Sequence, residues 1–174
     1  AQAYDRFVNT HGGLVVFATG NSAFDDPSDT ASLPVLPGAE SLEAGWLAVA
    51  ALDSIALAER GVLQLSDYSN ACGRAMHFCL VAPGEVVFTG LDDTPDSPSY
   101  WHGAGTSLAA PQVSGAAALV WEAFPYLSND QVRQVLLGTA TDLGAPGVDP
   151  VFGHGLLNTG SAVQGPGRLD WGDF

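Results

Sequence analysis

An α/β fold with a mainly parallel sheet is what this sequence predicts, on three observations. The runs GLVVFATGN, WLAVAALDS and HFCLVAPG are apolar without alternation, the pattern of strands covered on both faces. Two helical stretches follow them, one over about residues 106–124 and one from Ser128 onward. The 174 residues suffice for one domain with its own core, and no internal repeat divides them.

The elements follow in order. AQAYDRFVNT reads as the tail of a helix, with Tyr4, Phe7 and Val8 on one face. It lacks the basic flank and apolar stretch of a signal peptide, and, reading as a helix already under way, it does not look like a natural N-terminus. GLVVFATGN is a strand that ends at Gly20 and Asn21. NSAFDDPSDTASLPVLPGAE is a polar loop punctuated by proline. WLAVAALDS is a second strand, and IALAERGVLQLSDYSNACG an irregular connection with room for a short antiparallel piece. HFCLVAPG is a third strand, stopped by Pro83 and Gly84; EVVFTG is a short fourth. LDDTPDSPSYWHGAG is a loop that delivers Ser107.

The helix over 106–124 is rich in small residues (Ala109, Ala110, Gly115, Ala116, Ala117, Ala118), which suits a helix pressed between other elements. Pro111 is tolerated if it lies in the first turn, where its missing N–H has no partner to lose. The second helix has Ser128 as N-cap and Gln131 three residues on, a capping box, with Val132, Val135 and Leu136 as its apolar stripe. GVDPVFGHGLLNTGSAV reads as a glycine-punctuated return to the surface.

The net charge is −14, and all five basic residues are arginine. Such a chain repels nucleic acid and anionic lipid, and its simplest reading is a solvated acidic surface. No apolar run reaches the roughly 18 residues needed to span a bilayer. Cys72 and Cys79 are too far apart for a CxxC pair. They are either a local disulfide, which implies an oxidising compartment and is worth about 2–3 kcal/mol, or two reduced buried thiols.

Ser107 stands between Gly105 and an alanine-rich helix. The run Gly105-Thr106-Ser107-Leu108-Ala109 is not a G-x-S-x-G elbow, and without lysine the chain has no P-loop. A plain N-cap is one reading of Ser107. The other is a nucleophile, favoured by the positive end of a helix and by its own unpaired backbone N–H, which can donate to an oxyanion. A second donor is then needed, and Asn21 at a strand end has the carboxamide to supply it; as a plain turn residue it needs no such role.

FATGNSA, APG, GTSLAAPQVSGAAALV and FGHGLLN together resemble the subtilisin-like serine proteases, the subtilases. GTS-x-A-x-P is the most specific of these signals. The resemblance spans residues 17–163, and SDYSNACGRAMHFCLVAPG looks most like the subtilase passengers of bacterial autotransporters. It implies a three-layer α/β/α sandwich with a mainly parallel sheet, Ser107 as nucleophile and Asn21 as oxyanion-hole donor. Three positions depart from the family pattern: Leu108 replaces a common Met, Gln112 a common His outside the triad, and His154 a common aromatic.

The family orders its triad Asp, His, Ser along the chain, and the Asp and His segments precede the Gly-Asn strand. None of the four histidines matches the family's His-Gly-Thr helix. His11 precedes a strand, His77 lies between the cysteines, His102 belongs to the loop before Ser107, and His154 to the C-terminal turn. The expectation is therefore that residues 1–174 are the C-terminal portion of a subtilase catalytic domain, carrying the nucleophile and oxyanion hole without the base. The implied function is a secreted or cell-surface endopeptidase of peptide and protein substrates, active when joined to its N-terminal half. The alternative is a non-catalytic subtilase module that binds a partner or its missing half.

No cofactor is implied. DDPSD and LDDTPD offer oxygen ligands for calcium, with a solvated loop as the other reading. Tyr100 and Trp101 either line a substrate cleft or belong to the core or an interface. A parallel sheet lacking its other half exposes a strand edge, through which copies of the chain can pair as a homo-oligomer.

Overall fold

The computed structural model describes residues 2–90, 94 and 96–165. Helix α1 (Gln2–Asp5) continues into a π-helical turn, Arg6–Thr10. Val8 is buried, and Tyr4 meets Trp46 and Phe17 edge-on at centroid distances of 5.1 and 6.1 Å. Phe7 departs from the expected face and is 46% exposed.

Strands β1 (Val15–Ala18), β2 (Trp46–Leu52) and β3 (Cys79–Pro83) form one parallel sheet in the order β1-β2-β3. Val15 pairs with Trp46 and Ala48 with Cys79 in register. All seven residues of β2 are buried, as its unbroken apolar run requires of a strand covered on both faces. Its side chains alternate nonetheless. Leu47, Val49 and Ala51 join one core with Leu80 and Ala82, while Trp46, Ala48, Ala50 and Leu52 join a second core with Val8, Leu42 and Phe78. The indole N–H of Trp46 donates to the Ala31 carbonyl at 2.9 Å, so its one polar atom is satisfied inside the second core.

The connection after β2 holds a helix, α2 (Ser54–Arg60), where an irregular segment was expected. The carboxylate of Asp53 caps it by accepting from the Ala56 amide at 2.7 Å, and Gly61 ends it at φ 65°. The antiparallel piece is a single bridge, Leu52 to Leu65. Cys72 and Cys79 form a disulfide across the 3₁₀ turn Gly73–Phe78, just before β3.

Strand β4 (Glu85–Thr89) does not extend the parallel sheet. It pairs antiparallel with β5 (Tyr100–Ala104), in a stretch expected to be loop throughout. Both strands expose side chains on their two faces, so neither has the one-sided apolar pattern that marks a sheet buried on a core. Helix α3 (Thr106–Ala123) lays Ala109, Val113, Ala116 and Val120 on the first core. Pro111 is the sixth residue of α3, not in its first turn, and so has no N–H for the Ser107 carbonyl four residues back. Helix α4 (Asn129–Gly138) carries the predicted capping box of Ser128 and Gln131. Asn129 Nδ2 donates to the carbonyls of Val8 and Gly13, tying α4 to the N-terminal turn.

The 147–163 segment does not simply return to the surface. The Val81 amide donates to Gly155 O and the Leu157 amide to Val81 O, so this segment seals the outer edge of β3 before a short helix, α5 (Thr159–Ala162). Among the described residues nothing pairs with the outer edge of β1, whose four residues are all half-buried. The architecture is a three-layer α/β sandwich with one sheet edge closed and one open.

Leu80 is fully buried between the sheet and the α3–α4 layer. Leu80→Ala is expected to lower stability by about 2–5 kcal/mol, read from the midpoint of urea unfolding. A loss below about 1 kcal/mol would contradict the packing of this layer.

Candidate active site

Two chain reversals build the site. The first follows β1, where Gly20 (φ 117°) turns the chain so that Asn21 stands exposed at the carboxyl end of the sheet. The second is Gly105, the N-cap of α3, at φ 155° and ψ 151°, a region open to glycine and closed to other residues. Its amide donates to Gly84 O at 2.9 Å, which fixes the turn against the end of β3. A methyl group on Gly105 would lie 3.1 Å from Ser107 Oγ and 3.4 Å from Asn21 Nδ2. The two polar atoms therefore flank one small space, which glycine leaves free.

Thr106 orients the asparagine. Asn21 Oδ1 accepts from the Thr106 amide at 3.0 Å and from Thr106 Oγ1 at 2.7 Å, and Oγ1 in turn accepts from the Gly20 amide at 3.3 Å. With the carbonyl oxygen of the carboxamide committed to Thr106, the amide Nδ2 is the end turned toward Ser107. Thr106 is buried, whereas Asn21 and Ser107 are exposed. Neither the hydroxyl nor the amide N–H of Ser107 has a hydrogen-bond partner among the described residues. Both stand at the N-terminus of an 18-residue helix, whose dipole favours negative charge there.

The remaining candidates fall elsewhere. His11 caps the N-terminal turn at the far end of β1 from Asn21. His77 lies in the 3₁₀ turn, and its carbonyl is 3.2 Å from His154 Nε2. Burial holds the His154 imidazole below its ordinary value. His102 is paired with Val87 in the β4–β5 ladder. None of the four hydrogen-bonds Ser107. Tyr100 and Trp101 are 72% and 58% exposed, which removes the core reading and leaves the cleft wall or an interface. In DDPSD, Asp26 Oδ1 accepts from the Arg74 amide at 2.8 Å and Asp29 pairs with the Arg74 guanidinium at 2.6 Å. Most of LDDTPD lies outside the described residues, and among those described no group of three or more His, Cys, Asp or Glu is arranged to hold a metal.

Sequence reasoning passed over Glu85, at the root of the β4–β5 hairpin. Its Oε1 accepts from Ser66 Oγ at 2.6 Å and Tyr68 Oη at 3.0 Å, and its Oε2 from the amide and hydroxyl of Ser54, each at 2.8 Å. Glu85 pairs with Ala104, next to Gly105, so this cluster braces the turn that carries Ser107. Burial pushes its carboxyl up, but the donors from Ser66, Ser54 and Tyr68 outweigh it and hold the group below the ordinary 4.5. No motif marks such a cluster, because the partners of Glu85 lie 17 to 31 residues from it in the chain.

The sequence profile of the subtilase family matches residues 1–155. Over 168 residues the chain is 39% identical to the autotransporter lipoprotein NalP of Neisseria meningitidis serogroup B, covering 92% of this chain and 15% of that protein. An extracellular serine protease of Serratia marcescens is 34% identical over 176 residues, covering 90% of this chain and 16% of the other. Among solved structures, the prenylagaramide maturation protease PagA superposes with a TM-score of 0.66 at 26% identity, over 90% of this chain and 52% of that one. The chain thus spans about one-sixth of the length of these curated relatives.

A carboxylate whose folded pKa is depressed stabilises the fold above its unfolded value, and that stability is lost as pH falls through the folded value. Glu85→Gln is therefore expected to lower the urea midpoint at pH 7, with the difference from the native chain shrinking toward pH 3. A difference that is constant with pH would show that the charge on Glu85 does not matter to its hydrogen-bond cluster.

Proposed function

Because the chain belongs to the subtilase family, we propose that it is the C-terminal portion of a serine endopeptidase catalytic domain, with Ser107 as nucleophile and Asn21 as oxyanion-hole donor. The observation that carries this reading is the convergence of Ser107 Oγ and Asn21 Nδ2 on the space in front of Gly105. Ser107 attacks the scissile carbonyl of a peptide or protein substrate, and its proton passes to a histidine outside these 174 residues. The tetrahedral oxyanion takes hydrogen bonds from Asn21 Nδ2 and the Ser107 amide. The histidine then protonates the leaving amine, and an acyl-enzyme ester remains for water to hydrolyse.

The general base and its orienting aspartate belong to an N-terminal half of the domain. That half adds its own strand to the sheet, and the open outer edge of β1 is the place for it. Without it, copies of the chain pair through the same edge. The Cys72–Cys79 disulfide and the extracellular and autotransporter relatives support action outside the cell or at its surface.

In subtilisin, losing the oxyanion asparagine costs about 10²–10³ in turnover and losing the serine about 10⁶. In the complete protease, Ser107→Ala is expected to abolish peptide hydrolysis and covalent labelling by a fluorophosphonate. Asn21→Ala should lower kcat by about 10²–10³ with little change in KM. The isolated 174-residue chain should label weakly and gain labelling when refolded with its N-terminal half. Strong labelling of Ser107 in the isolated chain would overturn the assignment of the base to that half. Light scattering on the isolated chain is expected to show dimers or larger species that the N-terminal half dissociates; a monomer at high concentration would argue against pairing through β1.

A further inference from the structure

Asn70 is 97% buried, yet every one of its side-chain valences is used, and all on one short segment. Its Nδ2 donates to the carbonyls of Thr19 at 3.3 Å and Asp26 at 3.2 Å. Its Oδ1 accepts from the amides of Ser22 at 2.9 Å and Phe24 at 3.2 Å. The backbone adds to this: the Asn70 amide donates to Gly20 O at 2.8 Å, and the Asn70 carbonyl accepts from Thr19 Oγ1 at 2.9 Å. These partners bracket Asn21 on both sides. The turn they hold contains Ala23, the one non-glycine residue with a positive φ among the described residues, at 53°. The two amides that Asn70 Oδ1 binds are those on either side of Ala23, so the strained residue is clamped at both ends. Gly20 leaves room for the clamp, since a methyl group there would lie 2.9 Å from Asn70 Nδ2.

We infer that Asn70 is a positioning residue that locks the strand-end turn so that the Asn21 amide faces Ser107; the inference rests on the reading of Asn21 as oxyanion-hole donor. Thr106 fixes the rotation of the Asn21 carboxamide, and Asn70 fixes the backbone from which it projects. Only an amide fits this place, since the four contacts need two donors and two acceptors on one planar group. Aspartate has the same shape but faces the carbonyls of Thr19 and Asp26 with no hydrogen to give.

The test is a kinetic cycle in the complete protease with a peptide-amide substrate. Asn70→Asp is expected to lower kcat by about 10-fold to 10³-fold, up to the full effect of losing the donor, with KM within about threefold. In the Asn21→Ala background the same substitution should cost less than about threefold, because the group it positions is gone. An equal loss of kcat in both backgrounds would overturn the inference while leaving Asn21 as the donor. If Asn21→Ala alone leaves kcat unchanged, the oxyanion reading falls and this inference with it. Should Asn70→Asp fail to fold, Thr19→Val decides: it removes one bond onto Asn70 at constant shape, and its loss of kcat should vanish in the Asn21→Ala background.

Discussion

The site depends on one side chain contact above all, the double acceptance by Asn21 Oδ1 of the Thr106 amide and hydroxyl. It joins the end of a strand to the start of a helix. A carboxamide has two chemically different ends, and free rotation would present either one to the cleft. Committing the oxygen to Thr106 removes that ambiguity and presents the donor end. Because Thr106 is buried beside the exposed Ser107, the same residue also sets the first turn of α3. Strand end, helix start and Ser107 are thus joined by one short bridge.

The sheet makes that bridge possible. β2 is buried on both faces, and its side chains divide between two cores according to the period of two. Small residues on α3 let the helix lie close over β1 and β2. Close packing there places the helix N-terminus over the carboxyl ends of the strands, where β1 delivers Asn21. Gln112 contributes at the same level, donating to Pro83 O at 2.8 Å and tying α3 to the end of β3. A residue that departs from the family's usual histidine therefore has a structural task of its own.

Much of this was legible in the sequence, for physical reasons that differ by element. β2 and β3 announce themselves because double-sided burial permits no polar residue within the run, and β1 carries the same apolar pattern although its residues are half-buried. The capping box at Ser128 is legible because its two partners are three residues apart. Ser107 and Asn21 are legible because glycine must precede each of them to turn the chain. Helix α2 was missed, since seven residues hold too few turns for a periodic stripe. The β4–β5 hairpin was missed because its strands are exposed on both sides and alternate nothing. Asn70, Glu85 and the sealing of β3 by residues 153–157 act across long separations, and single-sequence patterns do not reach that far.

Those separations have a consequence for how the molecule comes to life. The bonds between Thr106 and Asn21 close a loop of 85 residues, and those from Asn70 to its turn close loops of 44 to 51. Contacts of such high order are late to form, because the entropy of closure must be met before they return anything. A partly folded chain thus has Ser107 without the Asn21 carboxamide held beside it. The juxtaposition of Asn21 with Ser107 is therefore a property of the finished topology and of no shorter piece of it.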